Sequence, residues 1–126
     1  MEVGESFIKT IKAIEKWNDT ENILVAGEKY HLTATGQWTD WFILCDACGY
    51  ERAYLKPSEW LRRFPEANWF ALIGSIEKDK QTFFYIGKER AFSPSQTGRL
   101  YCFANDVPFA YWNNKGSIQV CVTRLS

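Results

Sequence analysis

What most limits the fold of this chain is a succession of short apolar runs, each closed by a glycine or another turn former. Tyr30, Leu32 and Ala34 alternate with Lys29, His31 and Thr33, the two-residue period of a strand with one buried face. Trp41-Phe42-Ile43-Leu44 and Trp69-Phe70-Ala71-Leu72-Ile73 have the length and composition of buried strands. Thr82 to Ile86, Arg99 to Ala104 and Ile118 to Thr123 complete the set, with Gly27, Gly36, Gly74, Gly87, Gly98 and Gly116 between runs. Such spacing predicts an all-β fold, a two-sheet antiparallel β-sandwich or jelly roll. Phe7 to Trp17 fits both a helical stripe and a strand register. Its β-branched Ile8, Thr10, Ile11 and Ile14 favour the strand. Residues 56–67 predict one helical turn with Ser58 as N-cap, closed before Pro65, or else a binding loop.

With 126 residues and no Pro- or Gly-rich linker, one domain over 1–126 is expected. Lys plus Arg and Asp plus Glu both number 15, so there is no basic excess to neutralise a phosphate backbone, and a nucleic-acid partner is not expected. No run approaches the ~18 apolar residues of a membrane span. The start, Met1-Glu2-Val3-Gly4, lacks the basic and apolar regions of a signal peptide. The expectation is a soluble protein, cytoplasmic at synthesis, for which any export would be non-classical. Six Trp, six Tyr and nine Phe leave rings over for a binding surface once a β-rich core is filled.

The stretch between the last two strand-like runs carries the chemistry. Asn105-Asp106-Val107-Pro108-Phe109-Ala110-Tyr111-Trp112-Asn113-Asn114-Lys115-Gly116-Ser117 reads as a hairpin loop far longer than the usual ~2–5 residues. It offers one carboxylate, two adjacent amides and free carbonyls. These are the hard oxygen donors of which Ca²⁺ takes ~6–8, with water or ligand hydroxyls completing the shell. The same Asp and Asn also serve as ordinary turn formers.

Here the sequence resembles the LecA-like (PA-IL-like) galactose-binding lectins. The resemblance rests on Asn-Asp-Val-Pro at 105–108, Tyr111, and Asn-Asn-x-Gly-Ser at 113–117. Gly98-Arg99-Leu100-Tyr101 leads in and Ser117-Ile118-Gln119-Val120 leads out. Leu72-Ile73-Gly74, Pro94 and the run from Gly27 to Gly36 have counterparts in that family. The resemblance implies a galactose-binding-domain-like sandwich holding one Ca²⁺. Its ligands would be the side chains of Asp106, Asn113 and Asn114 and the carbonyls of Ala110 and Trp41, with Asp40 as the alternative to Trp41. Two neighbouring sugar hydroxyls would complete the sphere, hydrogen-bonded to Asp106 and Asn113, with Val107 against the ring. The implied partner is a galactose-like sugar or a larger glycan, and homo-oligomerisation would raise the affinity of a weak single site. Two departures stand out. Phe64-Pro65-Glu66-Ala67 replaces the family's His-Pro-x-Gln, and Trp112 replaces a small residue, so Phe64, Trp112 or Trp60 offers a stacking platform in place of polar contacts.

Two other classes remain open: a metal-free sandwich that binds a protein through exposed aromatics, and a glycan-active enzyme. No nucleophile–base arrangement is recognisable around the single His31, and catalysis is not expected. Cys45-Asp46-Ala47-Cys48 has redox or zinc spacing but no second pair, so structural thiols are expected. Cys102 and Cys121, read as lying on neighbouring strands, should face opposite ways and stay unbridged. Asn18-Asp19-Thr20, a glycosylation sequon, reads as a turn, and Lys78-Asp79-Lys80-Gln81 as a solvated hairpin tip.

Overall fold

The computed structural model describes residues 1–126. Its strands are β1 (Ser6–Lys12), β2 (Asn18–Leu24), β3 (Tyr30–Thr35), β4 (Trp38–Asp40), β5 (Ile43–Cys45), β6 (Leu72–Ile76), β7 (Phe84–Tyr85), β8 (Glu89–Phe92), β9 (Gly98–Ala104) and β10 (Asn114–Arg124). Short 3₁₀ segments occupy Ala53–Leu61, Lys80–Thr82 and Tyr111–Asn113. The strands form two antiparallel sheets, as the alternating runs predict. One has six strands in the order β5-β4-β10-β3-β8, with β1 on the free side of β10; the other has four, β2-β9-β6-β7.

The long β10 is the spine of the larger sheet. It pairs with β1 from Ser6↔Thr123 to Lys12↔Ser117, with β3 over 119–124, and with β4 over 114–116. Ile118, Val120 and Val122 point into the core, while Gln119 is exposed. Tyr30, Leu32 and Ala34 of β3 and Ile11 of β1 meet them there, opposite Leu72, Ile76, Leu100 and Cys102 of the smaller sheet. In β6 every residue is buried, because its outer face is covered too. Ile73 and Phe103 form a second apolar layer with Ala67 and Ala71, flanked by Trp17, Phe64 and Phe83. A strand buried on both faces shows a continuous apolar run instead of alternation.

Several expectations need correction. The run 41–44 is not a buried strand. Asp40 pairs with Ile43, so Trp41 and Phe42 are the two residues of a tight turn, 64% and 68% exposed. Two-residue hairpins need a left-handed residue, and Trp41 supplies it at φ 56°. The connection 105–113 is not a hairpin loop either, because β9 and β10 belong to different sheets and the chain crosses between them. Cys102 and Cys121 are therefore not on neighbouring strands; Cys102 lies in the core, Cys121 is half-buried, and all four thiols are free.

The 3₁₀ segment starts at Ala53, several residues before the expected turn, because the Leu55 N–H already bonds the Arg52 carbonyl (3.0 Å). Ser58 lies inside it and caps nothing. It ends before Pro65, as expected. The Asn18 sequon is no turn. Asn18 opens β2 with its side chain buried, bonding Lys12 N and O and the Cys102 carbonyl at 2.8–3.1 Å. The segment from Phe7 is a strand, and 78–81 lies in an exposed turn between β6 and β7.

Candidate functional site

At one end of the sandwich the crossover leaves β9, and β10 begins beside β4. Asn114, the first residue of β10, pairs with Asp40, the last of β4. That register sets the Asn113–Asn114 pair next to the Trp41 turn, while Asp106 arrives from the end of β9. Asp40 lies close enough to Asp106 for its charge to disfavour ionisation of the Asp106 carboxyl. Asp40 and Asn114, distant in the chain, thus meet through a single strand pairing.

The crossover is held by its neighbours, not by its own turns. Asn105 is fully buried. Its Oδ1 accepts from the Phe64 N–H (2.9 Å), and its Nδ2 donates to the carbonyls of Phe64 (2.8 Å), Asn68 (3.0 Å) and Ala67 (3.1 Å). The Arg63 N–H donates to the Asp106 carbonyl (3.0 Å). The Arg63 guanidinium lies 3.6 Å from the Phe103 ring centroid and donates to the Tyr111 hydroxyl (2.9 Å), which in turn donates to the Ala104 carbonyl. Loop 62–71 and the crossover therefore form one hydrogen-bonded unit.

Within that frame three acceptor oxygens lack donors. Asp106 is 4% exposed; its Oδ1 accepts from the Val107 N–H (2.7 Å), but its Oδ2 has no partner. Asn114 is 2% exposed; its Nδ2 donates to the Ala13 carbonyl (3.1 Å), leaving Oδ1 without a donor. Asn113 Oδ1 is likewise buried and unpaired. Native structures satisfy nearly all buried polar atoms, so three orphans on the residues singled out from sequence call for an explanation. Burial, and then the charge of Asp40, push the Asp106 carboxyl up to about 7, against the opposing pull of Val107 N–H, the Asn114 amide and Arg63. Asp40 is also raised by burial, although the Tyr50 hydroxyl donates to its Oδ2 (2.5 Å).

Of the other residues named from sequence, Trp41 sits at the turn beside Asn113, Ala110 precedes the 3₁₀ turn 111–113, and Val107 is half-buried against the main core. Phe64 is half-buried in the second apolar layer, edge-on to Phe83 at 6.2 Å. Trp112 is 77% exposed, so its indole does not fill the space among the oxygens. A recess of about 270 Å³ opens beside Asn113 and Asp40, walled by Trp41, Phe42, Tyr50 and Tyr54. Sequence reading missed Asn105, Arg63, Tyr50 and Tyr54. Only Asn105 carried a signal, as the first residue of the Asn-Asp-Val-Pro run. Cys45 is buried and its thiol is pushed up to about 12 by burial, so it is not a reactive thiolate. His31 faces outward and meets Glu89 at 2.9 Å.

No protein-family model matches the chain, and no curated protein does. Among solved structures, one described as the EclA N-terminal domain, a PllA-like lectin, superposes with a TM-score of 0.69 at 20% identity. The match covers 93% of this chain and 94% of that one. The chain therefore has the two-sheet fold of that lectin domain.

Proposed function

We propose that the protein is a non-enzymatic, calcium-dependent carbohydrate-binding module whose ion is held by Asp106, Asn113 and Asn114. The observation that carries this reading is the trio of buried oxygens without donors, Asp106 Oδ2, Asn113 Oδ1 and Asn114 Oδ1. An unsatisfied buried acceptor costs about 1–3 kcal/mol, and in this reading one oxygen-seeking cation would relieve all three. No group of three or more His, Cys, Asp or Glu gathers anywhere in the chain, so a soft or borderline metal has no matching donor set. One carboxylate with two amides suits Ca²⁺, which accepts neutral oxygens and flexible geometry. The carbonyls of Trp41 and Ala110 are the further protein donors in this reading, the tight turn setting Trp41 beside Asn113.

A cation bound by so few protein oxygens keeps positions for exchangeable ligands. Vicinal sugar hydroxyls fill two at once and are selected by their stereochemistry, with remaining hydrogen bonds to Asp106 and Asn113. The likeness to a PllA-like lectin supports this reading. The recess beside Asn113 gives the apolar face of a sugar, or a substituent on it, rings to lie against, a role assigned from sequence to Phe64 and Trp112. The test is titration calorimetry with Ca²⁺, followed by a glycan array with and without chelator. Heat on calcium addition and calcium-dependent sugar retention, both absent in Asp106→Ala, are expected. Sugar retention that survives chelator would remove the ion from the function.

The exposure of Trp41, Phe42, Tyr54, Phe109 and Trp112 favours a second reading, a metal-free surface for a protein partner. A melting temperature indifferent to calcium would select it.

A further inference from the structure

The largest cavity of the molecule, about 360 Å³, is not the recess at the oxygens. It lies between loop 60–65, the turn between β6 and β7, and Pro108 of the crossover. Trp17, Trp60 and Phe83 supply its apolar walls, and every charged residue lining it is basic: Arg62, Arg63, Lys78 and Lys80. In a chain whose charges cancel overall, four cations around one cavity are a local asymmetry.

Three of these cations have no carboxylate partner, and the fourth, Arg62, has only a long contact to Glu59. Arg63 bonds a carbonyl and a hydroxyl, Lys16 O and Tyr111 Oη, and no carboxylate. Lys78 lies over the rings of Tyr101 (5.0 Å) and Trp17 (5.9 Å), and neither it nor Lys80 is in an ion pair. The nearby acids are occupied elsewhere: Asp79 accepts from the Gln81 N–H (3.0 Å), and Glu77 from the Arg99 N–H. Arg62 is 6% exposed. Its Nη2 donates to the Pro65 carbonyl (2.7 Å), while Nε and Nη1 have no hydrogen-bond partner and the closest carboxylate oxygen, on Glu59, is 3.9 Å away. A buried guanidinium with unused donors is costly unless an anion or further acceptor comes to it.

Cations beside tryptophan faces recognise a particular chemistry. Carboxylate or sulfate oxygens take the charge-assisted bonds, and the C–H face of a pyranose ring covers the indoles. We propose that this cavity is a second, calcium-independent site for an acidic sugar, a pyranose carrying a carboxylate or a sulfate. A nucleic acid would meet the same groups, and it is the competing occupant that the test includes.

The test follows the tryptophan indole NMR signals in chelator, which silences the calcium site. Methyl glucuronide is titrated against methyl glucoside, with galactose 6-sulfate as the sulfate arm and a short oligothymidylate as the nucleic-acid arm. At least one acidic sugar should shift the Trp17 and Trp60 signals while the neutral glucoside does not. Because Lys78 and Lys80 are exposed, the double variant Lys78→Ala/Lys80→Ala should melt like the parent and bind roughly tenfold more weakly or worse, as expected for losing charge-assisted contacts. Acidic sugars no better than the glucoside, binding unchanged in the double variant, or oligothymidylate binding as tightly would each overturn the proposal. Asp106→Ala should leave these titrations unchanged, so failure here and failure of the calcium reading are separable.

Discussion

Asp106 shows what burial does to a single carboxylate that lacks a cationic partner in hydrogen-bond reach. Without metal its pKa is pushed up to about 7, first by desolvation and then by Asp40. A carboxyl raised in the folded state favours folding fully below its unfolded value, near 3.8, and that contribution is lost as the pH rises through the folded value. Asp106→Asn removes the titration. In chelator, the stability of the wild type relative to Asp106→Asn should therefore fall between about pH 4 and pH 7. Urea melts of the two proteins at several pH values read this directly, and a constant difference would show that Asp106 is not ionising in a buried site. Calcium needs the ionised form, so its apparent affinity should rise over the same pH interval.

At the level of elements, the ligand set depends on a strand pairing and a loop staple. Asn105 ties loop 64–68 to the crossover through one acceptor and one donor group shared among four backbone partners. Asn105→Ala leaves the Phe64 N–H and the Ala67 carbonyl without partners, while the Phe64 and Asn68 carbonyls keep the N–H groups of Ala67 and Ala71, so it should cost on the order of 3 kcal/mol and weaken calcium binding without touching a proposed ligand. Chemical denaturation and calorimetry together check both halves. Gly49 probes a separate contact, the Tyr50–Trp69 bridge. It has φ +75°, and a Cβ there would lie 2.2 Å from the Trp69 carbonyl oxygen, in backbone that cannot step aside. Gly49→Ala should destabilise the protein by about 2 kcal/mol or more, combining backbone strain with displacement of the Tyr50–Trp69 bridge. A melting temperature within a degree or so of the parent would contradict that account.

For the whole molecule, calcium should act as a ligand of the folded state alone, because the donors gather only when both sheets are in place. At about a hundredfold excess over Kd such a ligand adds ~2.7 kcal/mol, which for a chain of this size raises Tm by roughly 10 °C. A calorimetric scan with calcium and with chelator measures the shift. Phe64→Ala belongs to the same scale. Phe64 packs in the second apolar layer, so its loss should lower stability while leaving calcium affinity close to the parent's. No helix here is long and apolar enough to cross a membrane.

The strand pattern and the residues that carry the buried, unpartnered oxygens were legible in the sequence because both are local. Alternation along 30–34 reports one buried face, and Asp106, Asn113 and Asn114 fall within one short stretch. Runs such as 41–44 misled because apolar residues occur in a buried strand and in an exposed turn alike, and only the Asp40↔Ile43 pairing separates the two. Tertiary structure alone decided which distant groups join the donors: Tyr50 on Asp40, Arg63 beneath the crossover, and the rings of Trp41 and Tyr54 beside Asn113. Those neighbours are set by how two sheets dock and where a strand begins its pairing. That is a property of summed packing across the chain, which no run of adjacent residues encodes.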